Sequence, residues 1–216
     1  MTKKTVAILS LIAVIAIVAK VALSDRDNPG SNLFELIKKA LENSFGILSA
    51  QQIRSILDIV QAWTEFGDGD MNKLAYILAT CYHESKFISG REKRCNPNGD
   101  AQQKACYAAQ EKYWYTGYYG RGFVQLTHRA NYIAMSSVFN IDLESNPDLA
   151  LDSAMAAKIA VYGMMTGSFT GLRLSNYINL FKQDYYNARR VVNGLDRADL
   201  IQAYALKIIE NIKLLG

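Results

Sequence analysis

Apolar residues recur every three or four positions along most of this chain, and the alternation typical of strands is almost absent. This pattern predicts a mainly α fold. Two predicted helices follow residues suited to capping: one starts after Ser49, and one runs from Asp70 to about Phe87. Thr127 is expected to cap another. The remaining predicted helices cover residues 33–42, 152 or 153 to 165, 184–192 and 196–215.

The N-terminal stretch at residues 5–23 reads TVAILSLIAVIAIVAKVAL. It has about the length that a helix needs to cross a bilayer. We predict a transmembrane signal-anchor over residues 1–24, a linker over residues 25–32 and a folded domain over residues 33–216. The lipid bilayer is therefore an expected partner, through residues 5–23.

The charges flanking this stretch predict its orientation. Lys3 and Lys4 precede it, whereas the residues that follow it are of mixed charge. The positive-inside rule therefore places the N-terminus in the cytoplasm and the folded domain on the non-cytoplasmic side. Two alternatives remain, a secretory signal cleaved near Ala22-Leu23-Ser24 and a buried core helix.

A long loop is predicted between Ile88 and Tyr119, and its length makes it a candidate functional loop. Cys95 and Cys106 bracket its polar, Asn/Gly-rich part. A disulfide between them would close a loop for which chain entropy predicts a stabilisation of roughly 3 kcal/mol. Such a bridge requires an oxidising compartment. Cys81 lies at an apolar position of a predicted helix and is expected to be a buried thiol.

Charge and histidine content exclude two classes of function. The chain has 24 Lys and Arg and 20 Asp and Glu, and three of the lysines lie in residues 1–24. The remainder is therefore nearly neutral and has no basic footprint for nucleic acid. His83 and His128 are the only histidines, and no Cys/His ligand spacing is present. The sequence thus predicts neither a metal nor a cofactor.

The segment YYGRGFVQLTHRANY, at residues 118–132, combines a tight turn with small polar side chains. Gly120 and Gly122 flank Arg121, so the backbone there turns tightly or lies close to another group. Aromatic residues crowd around Trp114 just ahead of it, and aromatic faces beside polar groups suit sugar rings. An ordinary glycine-rich turn before a helix is the alternative interpretation.

This segment resembles the signature of glycoside hydrolase family 19, which contains plant-type chitinases and many phage endolysins. The resemblance extends from about Tyr76 to the C-terminus. It implies a mainly α, lysozyme-like domain with a substrate cleft, in which two carboxyl groups cleave β-1,4 bonds of an N-acetylated glycan.

The predicted catalytic residues follow from the helix pattern and from this resemblance. Continuing the apolar stripe of the helix after Asp70 places Glu84 on or beside the buried face, an expensive position for a carboxylate. The stretch LATCYHES around it resembles the segment that carries the catalytic acid of the family. Glu92 looks like the second acid of the endolysin-type members, and Glu111 is its rival, because plant-type members carry this residue on a longer loop. The resemblance implies that Glu84 protonates the leaving oxygen while Glu92 and Thr127 position the attacking water, which inverts the configuration.

The resemblance also implies residues that bind the sugars. They are Gln125, Asn131 and Asn193, and Tyr118 and Tyr119 are expected to line the cleft as further substrate-binding residues. Arg121 is expected to be structural instead, paired with an acid beneath the cleft. Few cysteines and a short C-terminal half favour the endolysin branch over plant chitinases.

We therefore expect a membrane-anchored glycosidase that cleaves peptidoglycan or another N-acetylated glycan. It would be a phage endolysin held by its signal-anchor or a lytic protein of a virion that carries a membrane. A chitinase acting on chitin oligomers is the alternative within the family. An inactive, anchored glycan-binding or structural virion protein is the alternative from another class.

Overall fold

Seven α-helices make up most of the computed structural model, which describes residues 29–216. They are α1 (Pro29–Phe45), α2 (Ala50–Phe66), α3 (Met71–Ser85), α4 (Ala101–Gln110), α5 (Arg129–Phe139), α6 (Ser153–Thr166) and α7 (Ala198–Leu215). Short 3-10 helices lie at Trp114–Thr116, Pro147–Leu151, Leu174–Asn176 and Asn187–Val191. The predicted mainly α fold is confirmed.

Side-chain caps begin three of these helices where the sequence predicted them. Ser49 and Gln52 form a capping box at the start of α2, each side chain bonding the backbone of the other. Asp70 accepts a hydrogen bond from the backbone of Asn72 at the start of α3. Asp152 accepts a hydrogen bond from the backbone of Met155 at the start of α6. These bonds satisfy N–H groups that a helix start leaves without an intrahelical partner.

Several helix boundaries differ from those predicted. Helix α1 begins at Pro29, inside the range predicted as a linker. Helix α3 ends at Ser85 rather than near Phe87, because Lys86 (φ 52°) and Phe87 (φ 60°) adopt left-handed backbone conformations. Thr127 does not cap α5, which begins two residues later and has no side-chain cap.

The predicted transmembrane anchor at residues 1–24 lies outside the described residues. Within residues 29–216, no helix combines the length and the apolar character needed to cross a membrane.

Helix α4 and a short hairpin are among the elements that were not predicted. Helix α4 lies within the stretch that the sequence predicted to be a long loop. Its residues are mostly exposed, so it lacks the apolar stripe that would have indicated a helix. The second element is a hairpin of β3 (Ile178–Asn179) and β4 (Lys182–Gln183), just before the stretch predicted as a helix at residues 184–192, where only a 3-10 helix forms.

Helix α3 occupies the centre of the fold, and every residue from Met71 to Cys81 is buried. Helices α6 and α7 both pack against it, and α2 packs against α6. The predicted apolar stripe is fully buried at Leu74, Ile77, Leu78 and Cys81. Each such side chain stabilises the fold by about 1.5–3 kcal/mol. The last turn of α3, which carries Glu84, therefore continues directly from a fully buried stretch of helix.

A small antiparallel sheet joins the stretch after α3 to the glycine-rich segment. Strand β1 (Gly90–Arg91) pairs with β2 (Arg121–Gly122), with Gly90 opposite Gly122. Just beyond the sheet, the backbone N–H of Glu92 donates to the carbonyl of Gly120 at 2.7 Å. The sheet thus places Glu92 beside residues 118–132.

Candidate active site

A cleft of about 820 Å³ opens between the end of α3, the glycine-rich segment and residues 169–194. Six of the predicted site residues line it, namely Glu84, Glu92, Gln125, Thr127, Asn131 and Asn193. Its other lining residues are Tyr113, Val124, Leu126, His128, Phe169, Thr170, Leu172, Arg190, Val192 and Gly194. The cleft therefore brings together residues that lie far apart in the sequence.

Glu84 lies on the last turn of α3, and its side chain is 21% exposed. The Nη1 atom of Arg189 lies 2.7 Å from its Oε1 atom. Arg189 is buried, and its Nε donates to the backbone carbonyl of Asp196 at 3.0 Å. This ion pair, in which Nη1 makes no hydrogen bond, draws the Glu84 carboxylate towards the buried guanidinium. The sequence did not predict this cation.

Glu92 is held by three hydrogen-bond donors. Its Oε1 atom accepts from Gln110 Nε2 at 2.8 Å and from the Tyr113 hydroxyl at 2.6 Å. Its Oε2 atom accepts from the backbone N–H of Gly120 at 2.9 Å. Burial, reinforced by this hydrogen bond to Glu92, raises the pKa of Tyr113, so its hydroxyl remains a donor at neutral pH. The donors fix the carboxylate in one orientation.

Glu111, the rival of Glu92, lies outside the cleft wall. It follows the last residue of α4, is exposed and forms an ion pair with Arg94. Of the two predicted partners for Glu84, the cleft therefore contains Glu92.

Thr127 lines the cleft, and its hydroxyl donates to the carbonyl of Gln125 at 2.8 Å. Because the hydroxyl proton is used in this way, the oxygen is left to act as an acceptor. Asn131 Nδ2 donates to the Thr127 carbonyl at 2.8 Å, which links two of the predicted residues directly.

Gln125 and Asn193 are both engaged with nearby backbone. Gln125 Nε2 donates to the carbonyls of Gly122 and Gly90 at 3.0 and 3.2 Å. Asn193 is exposed, and its Oδ1 accepts from the N–H of Gly194 at 2.8 Å. Both side chains line the cleft, and Gln125 is held there by two backbone carbonyls.

Tyr118 and Tyr119, which were predicted to line the cleft, are not among the residues of its wall. The Tyr118 hydroxyl donates to the carbonyl of Glu144, and its ring packs against Tyr132. The ring of Tyr119 stacks on Trp114, with 4.6 Å between centroids. Both tyrosines are half-buried, and their rings contact other aromatic rings of the protein.

Arg121 has the structural role that the sequence predicted. It is buried, and its Nε donates to Asp148 Oδ1 at 2.8 Å. Its Nη1 donates to the carbonyls of Gly117 and Tyr119 and to the Tyr132 hydroxyl. The hydrogen bond from Arg121 lowers the pKa of Asp148. This network holds the turn beneath the cleft.

Cys95 and Cys106 are joined by a disulfide, with 5.9 Å between their Cα atoms. Cys81 is a buried free thiol, as predicted, and burial raises its pKa. Within residues 29–216, no group of three or more His, Cys, Asp or Glu side chains could hold a metal ion.

The arrangement supplies the parts that acid–base hydrolysis of a glycosidic bond requires. One carboxyl group extends from the end of a buried helix and a second from a hydrogen-bonded loop, and a hydroxyl lies in the same cleft. The sequence missed Arg189, Gln110 and Tyr113, which hold the two carboxyl groups. Only the crowding of aromatic residues near Trp114 indicated one of them.

Comparison with known proteins places the chain in a family. The family model described as chitinase class I, glycoside hydrolase family 19, matches residues 60–171, which is just over half of the chain. Among curated relatives, an acidic endochitinase from Petunia hybrida is 36% identical over 72 residues, 33% of this chain and 28% of that protein. Chitinase 11 from Oryza sativa subsp. japonica is 44% identical over 50 residues, 23% of this chain and 20% of that protein. The chain thus spans less than a third of the length of either relative.

The fold is shared with a solved structure as well. Chitinase C from Streptomyces griseus HUT6037 aligns with a TM-score of 0.52 at 21% identity, covering 84% of this chain and 91% of that one. The part of the chain that the family model matches contains Glu84, Glu92 and the glycine-rich segment. The chain therefore belongs to glycoside hydrolase family 19.

Proposed function

We propose that this protein is a glycosidase that hydrolyses β-1,4 bonds of an N-acetylated glycan. The observation that carries the proposal is the cleft itself, in which Glu84 and Glu92 face one space from two separately supported elements. Glu84 is the general acid, and Glu92 with the Thr127 hydroxyl activates the water. This division of roles inverts the configuration at the sugar carbon.

The substrate that we propose is the glycan of peptidoglycan. Two features of the sequence support it. The short spacing between Glu84 and Glu92 resembles the endolysin-type members of the family, and the apolar stretch at residues 5–23 would hold the enzyme close to a cell wall. Chitin is the second candidate, because the curated relatives and the structural neighbour are named as chitinases.

The location that we propose is the non-cytoplasmic face of a membrane, of a cell or of a phage virion, with residues 5–23 as the anchor. The Cys95–Cys106 disulfide is compatible with this location, because such bonds persist in oxidising compartments. Membrane fractionation followed by protease treatment of intact vesicles tests the proposal. Release of the protein by alkaline carbonate, or protection of its folded domain in right-side-out vesicles, would refute it.

Two substrates assayed in parallel test the activity. Wild-type protein, Glu84→Gln and Glu111→Gln are given purified cell walls, with turbidity as the readout, and chitin oligomers, with new reducing ends as the readout. We expect wild type and the Glu111→Gln control to clear walls. Glu84→Gln should be slower by about a hundredfold or more, because it lacks the proton donor.

The outcomes separate the candidates. Reducing ends from chitin without clearance of walls would assign the protein to chitin. Binding to either polymer without cleavage by wild type would establish the inactive glycan-binding alternative. Clearance by Glu84→Gln at the wild-type rate would refute the assignment of the acid.

A further inference from the structure

Gln110 connects the second carboxylate to helix α4. Its side chain is buried, and its amide makes three hydrogen bonds. Its Nε2 donates to Glu92 Oε1 and to the carbonyl of Lys93, both at 2.8 Å, and its Oε1 accepts from the N–H of Cys95 at 2.8 Å. One amide therefore holds the carboxylate and the backbone on its C-terminal side.

The disulfide lies on the same face of α4 as Gln110. Cys106 and Gln110 are four residues apart on the helix, so their side chains are neighbours on its surface. The disulfide fastens Cys106 to Cys95, which is one of the backbone positions that Gln110 bonds. The covalent bond and the amide thus hold one short stretch of chain, residues 92–95.

Helix α4 has little else to hold it in place. Gln110 is its one buried residue, and the remainder of the helix is exposed or half-buried. A helix without a buried apolar face gains little from the hydrophobic core. The other links between α4 and the loop are few. The Arg94 guanidinium lies over the Tyr107 ring, 4.2 Å from its centroid, and the N–H of Asn96 donates to Gln103 Oε1 at 2.9 Å.

We propose that Gln110 is a positioning residue for Glu92 and that the Cys95–Cys106 disulfide keeps Gln110 within hydrogen-bonding distance of Glu92. Turnover therefore depends on the redox state of this cysteine pair. The inference rests on the proposed function, because it concerns the proposed base of that reaction. In the oxidised protein, α4 is fixed and Gln110 orients Glu92. In the reduced protein, α4 shifts relative to residues 92–95, and the carboxylate loses one of its three donors.

The redox step balances with a small disulfide as the oxidant. The two thiols of Cys95 and Cys106 lose two protons and two electrons and form one S–S bond, and glutathione disulfide gains them and becomes two glutathione thiols. Dithiothreitol reverses the step and leaves as its cyclic disulfide. Cys81 is buried, so the exchange is confined to the pair.

The first test separates positioning from general stability. Gln110→Met keeps the size of the side chain and removes its hydrogen bonds, and Gln103→Met is the matched control, because it removes a bond from α4 to the same loop without touching Glu92. On the substrate that wild type cleaves, we expect Gln110→Met to lower kcat about tenfold or more, with KM within about twofold. Gln103→Met should keep the wild-type kcat. Equal kcat values for the two variants, whether lowered or unchanged, would overturn the positioning role.

The second test addresses the disulfide. Full-length wild type, Cys95→Ser/Cys106→Ser and Cys81→Ser are assayed before and after dithiothreitol and again after glutathione disulfide. We expect dithiothreitol to lower the kcat of wild type and Cys81→Ser about fivefold or more and reoxidation to restore it. The kcat of the double variant should equal that of reduced wild type and should not change with either reagent.

An unchanged kcat in reduced wild type, with loss of the disulfide verified by thiol titration, would overturn the redox dependence. That test uses wild type alone, so it stands even if the double variant fails to fold. An oxidised wild type that is inactive on both cell walls and chitin oligomers would instead refute the proposed function, which makes the two failures distinguishable.

Discussion

Replacement of Gly120 by alanine should disable the cleft with a change of one methyl group. A Cβ atom at this position would lie 2.8 Å from Gln125 Oε1 and 3.2 Å from the Cβ of Glu92, both closer than ordinary van der Waals contact. Gln125 cannot swing away freely, because its Nε2 is bonded to two carbonyls. The N–H of Gly120 is also one of the three donors to Glu92. The new methyl group therefore crowds Gln125 and Glu92 at once.

The expected magnitude follows from these contacts. Overpacking of a well-filled site costs about 1–3 kcal/mol of the free energy of unfolding. Displacement of Glu92 by a fraction of an ångström should lower kcat by about ten- to a hundredfold. Urea unfolding and steady-state kinetics measure the two quantities.

Gly90→Ala is the matched control, because a Cβ there meets only the carbonyl of Ile88, at 3.7 Å. Its free energy of unfolding should stay within about 0.5 kcal/mol of wild type. A Gly120→Ala protein with wild-type kcat would refute the claim that close packing of Gly120 against Glu92 is needed for turnover. A Gly90→Ala protein with the same losses would show that any added methyl group harms this sheet.

Three further changes test other parts of the account. Asp148→Asn should lower the free energy of unfolding at pH 7 by about 1–2 kcal/mol, because buried Arg121 loses its ion pair with a half-exposed partner. Since the folded-state pKa of Asp148 is lowered, its contribution is present above about pH 4 and is lost as pH falls further, so the two proteins should converge in acid during pH-dependent urea titrations. Arg197→Gly should raise the thermal unfolding temperature by relieving an exposed residue at φ 58°, a gain of about 0.5–1 kcal/mol, and a lower temperature would contradict it. Arg189→Met should lower kcat about tenfold or more with little change in KM, because Glu84 loses the cation that orients it, and an unchanged kcat would contradict that role.

The helices could be predicted because capping residues and the spacing of apolar side chains are local features of the sequence. Ser49 and Asp70 cap the helices that they were expected to cap, and the apolar stripe along α3 is buried as the pattern required. That stripe also placed Glu84 at the edge of the core. The helix predicted to start at residue 152 or 153 begins at Ser153. Helix α4 was not predicted, because a disulfide and polar hydrogen bonds hold it in place. Such contacts produce no helical spacing of apolar residues in the sequence.

Local sequence patterns could not predict which side chains contact each other across the fold. Arg189 lies more than a hundred residues from Glu84 in the chain, and only the packing of the 3-10 helix that carries it brings the two together. Tyr118 and Tyr119 have side chains suited to sugar binding, but in the fold their rings pack against Tyr132 and Trp114, respectively. A residue type indicates what a side chain can do, whereas the fold decides which neighbour it meets.

The configuration of the first product distinguishes an inverting mechanism, with Glu84 as the acid and Glu92 as the base in one cleft, from a retaining one. Proton NMR of the newly formed reducing end, recorded before mutarotation, distinguishes the two anomers. Inversion of a β-linked glycan yields the α-anomer. Initial formation of the β-anomer, or no cleavage of any N-acetylated glycan, would contradict the inverting mechanism.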